Sequence, residues 1–216
     1  MNSFVTLIDS MGNDLTVVNS ARVSMNKCSG LFDDAKDTRL IQYLAEHNHW
    51  TPFASVIIQM RFKMPIFVAR QWFRSTIGLT RNEVSRRYVD DKPEFWYPTS
   101  WRARAEHVKQ GSGDNLPRDT QDKLFTGYED FCDKAESYYN FLLDNNVCPE
   151  QARAVLPQAT MTEFIETGSL AAYARVYQLR SDGHAQKEIR EYASAISEIV
   201  GGIAPISWNA LLRYGK

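Results

Sequence analysis

Arginine-rich residues 70–88 offer the clearest opportunity for chemistry in this sequence. The segment, RQWFRSTIGLTRNEVSRRY, holds five arginines against one acid, Glu83, whereas the whole chain balances 25 basic residues against 26 acidic ones. A guanidinium is a planar fork that grips phosphate or carboxylate through two hydrogen bonds, and Ser85 adds a hydroxyl beside the last two arginines. These residues predict an anion pocket for a nucleotide phosphate. A solvated basic face with ion pairs to acidic neighbours is the alternative.

Two other segments contain candidate anion ligands. Arg180 and His184, in LRSDGHAQKEIR, flank an expected helix start, where free N–H groups favour negative charge. Arg153 follows Glu150 on an expected short helix and is a further candidate clamp, with a surface ion pair as the alternative.

Motifs for several other chemistries are absent from the sequence. The histidines of HNHWTPF, residues 47–53, do not share a helix face, and no Cys or carboxylate has the spacing of metal ligands. The sequence contains no GxSxG, no GxGxxG after a strand, no GxxxxGK[ST] and no paired-carboxylate signature. We therefore expect no metal site, and if the protein is an enzyme, a cofactor carries the difficult step.

Composition places the chain among ordinary globular proteins. Its 216 residues are 44% hydrophobic and 24% charged, which predicts one domain spanning residues 1–216. A net charge of -1 argues against a nucleic-acid partner. There is no apolar run of membrane-spanning length and no secretory signal, and three cysteines without CxxC spacing favour a reducing cytoplasm.

The hydrophobic pattern predicts a helix-rich α/β or α+β domain with a modest central sheet. Alternation from Val56 to Met64 is typical of a half-buried strand. We expect caps at Asp37, at Ser169 and at Ser181 or Asp182, and a mobile surface segment over 101–118. The predicted strands are 3–8, 55–64 and 159–167, and the predicted helices are 37–47, 65–74, 119–145, 149–156, 169–179, 182–200 and 206–213. Residues 11–15 predict a turn and 16–24 a strand or helix, and a continuous apolar stripe is expected from Ile189 to Val200.

Collinear motifs along almost the whole chain then suggest a family. They are MGNDL and ARVS within 11–24, YLAEHNHWTPF at 43–53, PIFVARQWFR at 65–74, NEVSRRY at 82–88, PEFWYP just after it, EQARAVLP at 150–157 and LRSDGHAQ at 179–186. With these motifs the chain resembles the flavin-dependent thymidylate synthases, whose hallmark is an Arg-His-Arg stretch followed by a serine in an arginine-rich NExSxRY segment.

The resemblance implies an activity and an assembly. Members of this family are homotetramers of mixed α/β fold with active sites shared between subunits. They bind FAD and convert dUMP to dTMP, with methylenetetrahydrofolate supplying the carbon and NADPH reducing the flavin. No protein nucleophile is required, which agrees with the missing nucleophile motifs. A cytoplasmic location is implied, or the host cytoplasm for a virus, and so compact and divergent an enzyme of DNA-precursor synthesis would suit a phage.

The resemblance also implies site residues. Ser85 matches the motif serine near the reacting ring, and Arg180 is expected to polarise the pyrimidine carbonyl as negative charge develops; these two are the expected catalytic residues. The positions that match the nucleotide site are Gln71, Arg74, Ser85, Arg86, Arg87, Arg153 and Arg180. Those that match flavin-side positions are Ser24, His49, Thr51, Ile77, Asn82, Glu83 and His184.

Departures from the family pattern fall on the flavin side. The Arg-His-Arg stretch is Arg74-Ser75-Thr76 here, with one extra residue near Gly78, and TPFEH becomes Thr51-Pro52-Phe53-Ala54-Ser55. Ser169, Ala171 and Arg175 stand where the family has Asn, Arg and Asn. We expect Ser75, Thr76, Ser169 and Arg175 to contact the flavin, with Arg81 and Arg175 replacing the lost basic groups.

Three other functions remain open from the sequence. The same scaffold could serve a hydroxymethylase acting on dUMP or dCMP, because loss of the reductive half of the site would favour hydration of the transferred carbon. A non-catalytic nucleotide-binding paralogue would keep the arginines and lose the flavin. Nucleic-acid binding through residues 70–88 is the third, and near-neutral charge argues against it.

Overall fold

The computed structural model describes residues 4–106 and 111–215. Its strands are β1 (Phe4–Met11), β2 (Ile57–Pro65), β3 (Leu79–Glu83), β4 (Arg102–Arg104), β5 (Ser112–Asn115) and β6 (Met161–Ser169). Its α-helices are α1 (Asp14–Arg22), α2 (Asp34–Glu46), α3 (Ile66–Trp72), α4 (Arg118–Asp144), α5 (Pro149–Ala152), α6 (Leu170–Arg180), α7 (Lys187–Ile203) and α8 (Pro205–Tyr214). This helix-rich α+β fold confirms the predicted fold class.

A four-stranded sheet runs in the order β1-β2-β6-β3, and β4 pairs with β5 as a separate antiparallel ribbon. The alternation predicted for β2 is confirmed, since Ile58, Met60, Phe62 and Met64 are all fully buried. β-strand side chains point alternately to opposite faces, so these four form one continuous apolar face of the strand.

The chain divides into two compact units. The first unit contains residues 63–73 and 83–164, and the second contains residues 4–62, 74–82 and those from 165 onward. In the first unit α4 packs on α5 and on the 3₁₀ turn Arg153–Val155. The expectation of a single domain stays a prediction.

The second unit is built around packed helices. α6, α7 and α8 contact one another, α2 packs on α8, and α7 contacts β1. The apolar stripe of α7 is buried from Ile189 to Val200, as predicted. The Asp14 carboxylate accepts hydrogen bonds from the backbone N–H groups of Ile206 and Ser207 at 3.1 and 2.7 Å. Those donors lie in the first turn of α8. Asp14, at the start of α1, therefore caps α8 although almost the whole sequence separates the two helices.

Two predicted helix caps are wrong. α2 begins at Asp34 and is capped by Asp33, whereas Asp37 is fully buried and forms an ion pair with Arg22. α7 begins only at Lys187, after a loop that contains the residues predicted to cap it. The Ser169 cap of α6 is confirmed, because its hydroxyl accepts from the backbone N–H of Ala172 at 3.2 Å.

Several elements differ from the sequence prediction. α1 begins after an Asn13 capping box, inside a segment predicted as a turn followed by strand or helix. β3 lies within the arginine-rich segment, where no strand was predicted. The segment 101–118 holds β4 and β5, and its residues 107–110 lie outside the described ones.

Candidate active site

A basic cavity of about 490 Å³ lies in the first unit. It is lined by α3, by the chain that leaves β3, by the turn around Arg153, and by the start of β6. Four arginines and one acid contribute to its wall: Arg70, Arg86, Arg87, Arg153 and Glu83. The arrangement carries an excess of positive charge around one space, which suits an anionic ligand.

The backbone after β3 fixes the position of Ser85 in this cavity. The Val84 N–H donates to the Glu163 carbonyl at 2.9 Å, and the N–H groups of Tyr88 and Val89 both donate to the Ser85 carbonyl at 3.1 Å. These bonds tie the turn to β6 and close it on itself. Ser85 is therefore presented from an ordered turn.

The Ser85 hydroxyl is coupled to Arg87. Its oxygen accepts hydrogen bonds from the Arg87 backbone N–H at 3.3 Å and from the Arg87 Nε at 3.4 Å. The Arg87 guanidinium also lies 4.9 Å from the centroid of the Tyr88 ring, a cation–π distance. Hydroxyl and guanidinium thus occupy adjacent positions, as expected for two groups that act on one ligand.

The other arginines are oriented by backbone carbonyls. Arg86 Nη1 donates to the Asp91 carbonyl at 2.8 Å, and Arg153 Nε donates to the Glu150 carbonyl at 3.2 Å. A guanidinium has five N–H donors, so each of these bonds orients the side chain and leaves further donors for a ligand. The surface ion pair considered for Arg153 and Glu150 is, in the structure, a bond to the Glu150 backbone.

Glu83 provides an acceptor among these donors. Its Oε1 accepts a hydrogen bond of 2.6 Å from the hydroxyl of Thr162, a buried residue of β6 that also lines the cavity. Held in this way, the carboxylate can receive a hydroxyl or N–H group from a ligand. Sequence reasoning missed Thr162, and it left Arg70 unassigned although Arg70 belongs to the arginine-rich segment.

A smaller cavity of about 230 Å³ lies in the second unit. Its lining combines guanidinium, hydroxyl and apolar groups: Arg74, Ser75, Thr76, Ile77, Ala172, Arg175, Val176 and Leu179. Four of these residues, Ser75, Thr76, Ile77 and Arg175, were predicted to contact the flavin. Arg74, which was predicted to bind the nucleotide, lines the same cavity.

Two arginines hold the loop that enters this cavity. Arg81 donates to the Ser75 carbonyl and forms an ion pair with Glu166, which is fully buried. Arg175 Nη2 donates to the Ile77 carbonyl at 2.9 Å. Arg81 thus acts inside the fold, whereas Arg175 is exposed at the cavity and is the better placed of the two to meet a flavin phosphate.

Gly78 closes the same loop in a conformation that favours glycine. Its φ is +74°, and a Cβ there would lie 3.0 Å from the Ala172 Cβ and 3.5 Å from the Ser169 hydroxyl. The Ser169 N–H donates to the Gly78 carbonyl at 3.3 Å. The loop is therefore packed directly on the first turn of α6, where Ser169 is the cap.

Arg180 ends α6 as a buried residue of the second unit. Burial first, and then the positive charge of Arg74, lowers the pKa of the Arg180 guanidinium from its usual range. Arg74 is exposed and Arg180 is buried, and the effect of one positive charge on the other is unfavourable by itself. An anion or a carbonyl bearing developing negative charge would stabilise the pair.

A third cavity, of about 810 Å³, also belongs to the second unit. Its lining includes the predicted flavin-side residues Ser24, His49 and Thr51. Tyr43 stacks on His47 with ring centroids 4.1 Å apart, and its ring centroid lies 6.0 Å from that of His49. This wall offers aromatic faces and hydrogen-bonding edges to a planar ring system.

Five predicted residues lie outside the three cavity linings: Ser169 and Arg180, described above, and Gln71, Asn82 and His184. Gln71 follows Arg70 on α3 and is half-buried, and Asn82 is exposed on β3. His184 is exposed in the loop before α7, where its backbone N–H donates to the Asp182 carboxylate at 2.7 Å. Within residues 4–106 and 111–215, no group of His, Cys, Asp and Glu side chains is arranged to hold a metal ion, and no helix has the length and apolar character to cross a membrane.

Comparison with known proteins identifies the family. A family described as "Thymidylate synthase complementing protein" matches residues 6–206. A "Flavin-dependent thymidylate synthase" of Thermosipho africanus is 38% identical over 211 residues, covering 98% of this chain and 91% of the relative. One from Thermus thermophilus is 40% identical over 207 residues, covering 96% and 74%.

A solved structure matches the fold over its full length. It is a UMP/dUMP methylase, PolB from Streptomyces cacaoi, bound with 5-Br dUMP, with a TM-score of 0.89 and 26% identity over 99% of this chain and 96% of that one. The helix-rich fold is thus that of a class of nucleotide-methylating enzymes. The chain itself belongs to the flavin-dependent thymidylate synthase family, as its motifs predicted.

Proposed function

We propose that the protein is an FAD-dependent thymidylate synthase that methylates dUMP reductively to dTMP. Methylenetetrahydrofolate is the carbon donor and NADPH the reductant. One observation carries the proposal: four arginines and Ser85 line a single cavity of the first unit. A relative of the same fold binds a brominated dUMP, which supports a pyrimidine nucleotide as the ligand.

The nucleotide phosphate is assigned to the arginines around Ser85. Arg86, Arg87 and Arg153 each donate one hydrogen bond within the protein and have further N–H donors for phosphate oxygens. Glu83, held by Thr162 in the same cavity, stays assigned to the flavin by the family resemblance. Gln71 stays assigned to the nucleotide by the family resemblance.

Arg74 and Arg180 are assigned to the negative charge of the bound nucleotide. Electrostatic stabilisation is greatest where charged donors are fixed and shielded from water, and Arg180 is buried and subject to the charge of Arg74. We assign Arg180 the role of polarising the pyrimidine carbonyl, with Ser85 as the hydroxyl beside the reacting ring. Both groups act without a covalent bond to the substrate.

The residues of the second unit fit a flavin. An exposed guanidinium, Arg175, shares a cavity with the hydroxyls of Ser75 and Thr76, a donor set suited to a diphosphate. The Tyr43–His47–His49 wall of the 810 Å³ cavity suits an isoalloxazine or adenine ring. When bound, FAD would supply the hydride. The remaining flavin-side assignments are Ser24, Thr51, Ile77, Asn82, Glu83, Ser169 and His184.

The proposal includes an assembly and a location. We assign a homotetramer with active sites shared between subunits, a single domain over residues 1–216, and a cytoplasmic setting. Sedimentation of the full chain tests the assembly.

A product-mass experiment tests the activity. The purified protein should show oxidised-flavin absorbance, and with dUMP, NADPH and methylenetetrahydrofolate it should release dTMP. A product one oxygen heavier would show hydroxymethylation instead, and parallel incubation with dCMP tests the base. A colourless protein that binds dUMP without turnover would overturn the proposal in favour of nucleotide binding alone.

A further inference from the structure

Helix α4 has a second apolar face, distinct from the one that packs in the core. Its core face is marked by Cys132, Ala135 and Tyr139, which are buried. Large apolar side chains on the second face are 40–55% exposed. This second face, here the α4 seam, consists of Leu124, Gly127, Phe131, Lys134, Tyr138 and Phe141.

The spacing of the α4 seam is that of a coiled-coil interface. Its members follow one another at alternating intervals of three and four residues, the a/d pattern by which one helix packs along another. At 1.5 Å per residue the seam is about 26 Å long. Tyr138 and Phe141 already stack on each other with ring centroids 5.9 Å apart.

We propose that the α4 seam binds the α4 seam of a second copy of this chain, with the two helices antiparallel about a two-fold axis. The assembly proposed above names no surface, and this inference goes beyond it by assigning one. It rests on observations of α4 alone, so it stands or falls independently of the activity.

The sizes of the side chains favour a second α4 seam as the partner of the first. In an antiparallel pair each a position faces a d position, so the small Gly127 faces the large Tyr138, and Leu124 faces Phe141. A Cβ at Gly127 would meet nothing within 4 Å, which leaves room for the partner ring. The seam is therefore complementary to itself, the property that a two-fold interface requires.

Charge favours the same register. Phe131 faces Lys134 in this pairing, so the ammonium, which already pairs with Asp130 of its own helix, can also lie over an aromatic ring. Beside the seam, Lys123 comes opposite Asp144. A parallel pair would instead place Lys134 against Lys134 and Gly127 against Gly127, which sets like charges together and leaves a gap.

Sedimentation velocity on the full chain tests the surface. The wild-type chain should form a dimer or an even multiple of one, and Phe131→Glu should reduce that mass to half or less, because it puts a charge in an apolar seam. Asn140→Glu, an exposed substitution elsewhere on α4, should leave the mass unchanged. Circular dichroism confirms that each variant is folded. A monomeric wild type, or a folded Phe131→Glu with unchanged mass, would overturn the proposal.

A charge exchange tests the register. Lys123→Asp places like charges opposite each other twice per dimer and should raise the dissociation constant about tenfold at low salt. Adding Asp144→Lys should restore it, since the opposite charges then face each other again. Failure of the double variant to recover would exclude the antiparallel register.

Discussion

Arg81 and Glu166 form an ion pair inside the second unit, and the same guanidinium donates to the Ser75 carbonyl. Glu166 is fully buried, and the Arg81 side chain is 13% exposed. Arg81 therefore connects β3 to β6 and fixes the start of the loop that carries Thr76 and Ile77. This contact explains why Arg175, rather than Arg81, is left to face the cavity.

Arg81→Ala should destabilise the protein by about 3–5 kcal/mol, because it removes the positive charge that balances a buried carboxylate. The double variant Arg81→Met/Glu166→Leu should lose less, since it removes both charges. Chemical denaturation measures both. Lys92→Ala is the control, because it breaks an exposed ion pair with Glu136 and should cost less than about 1 kcal/mol. Equal losses in the three variants would show that Arg81–Glu166 is an ordinary surface pair.

Arg87→Ala should weaken dUMP binding by about 2–3 kcal/mol, since it removes a charge-assisted hydrogen bond to phosphate. Calorimetric titration measures this loss. Deoxyuridine, which has no phosphate, should bind wild type and variant with similar affinity. Arg118→Ala changes an exposed arginine at the start of α4 and serves as the charge control. If Arg87→Ala and Arg74→Ala both keep wild-type affinity for dUMP, the pocket assignment is wrong.

Local patterns in the sequence predict only what neighbouring residues decide. The β2 alternation and the Ser169 cap are of this kind, and both are confirmed. The predicted cap of α2 is wrong. Asp33, Asp34 and Asp37 are all close enough in sequence to cap this helix, and Asp37 is instead buried in an ion pair with the distant residue Arg22. β3 could not be predicted from its own residues, because they are mostly polar and form a strand by pairing with β6.

The candidate site shows the same contrast between features set by neighbouring residues and features set by distant ones. The arginine density of residues 70–88 and the family motifs predict Ser85, Arg86, Arg87 and, from a separate motif, Arg153, and all four line one cavity. The hydrogen bond between Thr162 and Glu83 joins residues 79 positions apart. No spacing in a single sequence specifies such a contact, because it depends on how β3 and β6 pair.

Ser85→Ala should lower kcat at least about tenfold while changing the free energy of unfolding by less than about 1 kcal/mol. The hydroxyl accepts only weak bonds from Arg87, at 3.3 and 3.4 Å, so the fold depends little on it. Turnover and thermal unfolding of the same preparation separate the two effects. Ser137→Ala removes an exposed hydroxyl of α4 and is the control. Parallel losses of activity and stability would assign Ser85 a structural role.

Arg175→Ala should raise the dissociation constant for FAD about tenfold or more, because it removes the exposed guanidinium assigned to the diphosphate. Arg175→Lys keeps the charge and should lose less. Flavin fluorescence during titration reports the affinity directly. Lys187→Ala, an exposed charge of the same unit, should have no effect. Unchanged flavin affinity in Arg175→Ala would refute the assignment.

Gly78→Ala tests whether the loop packing on α6 matters beyond the backbone conformation. Gly111 also has a positive φ, +97°, and a Cβ there meets nothing within 4 Å, whereas a Cβ at Gly78 meets Ala172 at 3.0 Å. Both substitutions carry the strain of a left-handed residue, about 1–3 kcal/mol, so any extra loss in Gly78→Ala measures the contact with α6.

That extra loss should appear in ligand binding as well as in stability. Displacing Gly78 moves the loop that carries Ser75 and Thr76, so Gly78→Ala should weaken flavin binding, and Gly78→Val, with its bulkier side chain, should weaken it further. Gly111→Ala should leave flavin affinity unchanged. Denaturant unfolding and flavin titration of the three variants check this. If Gly78→Ala and Gly111→Ala behave alike in both measurements, close packing of the loop on α6 does not position the flavin-side residues.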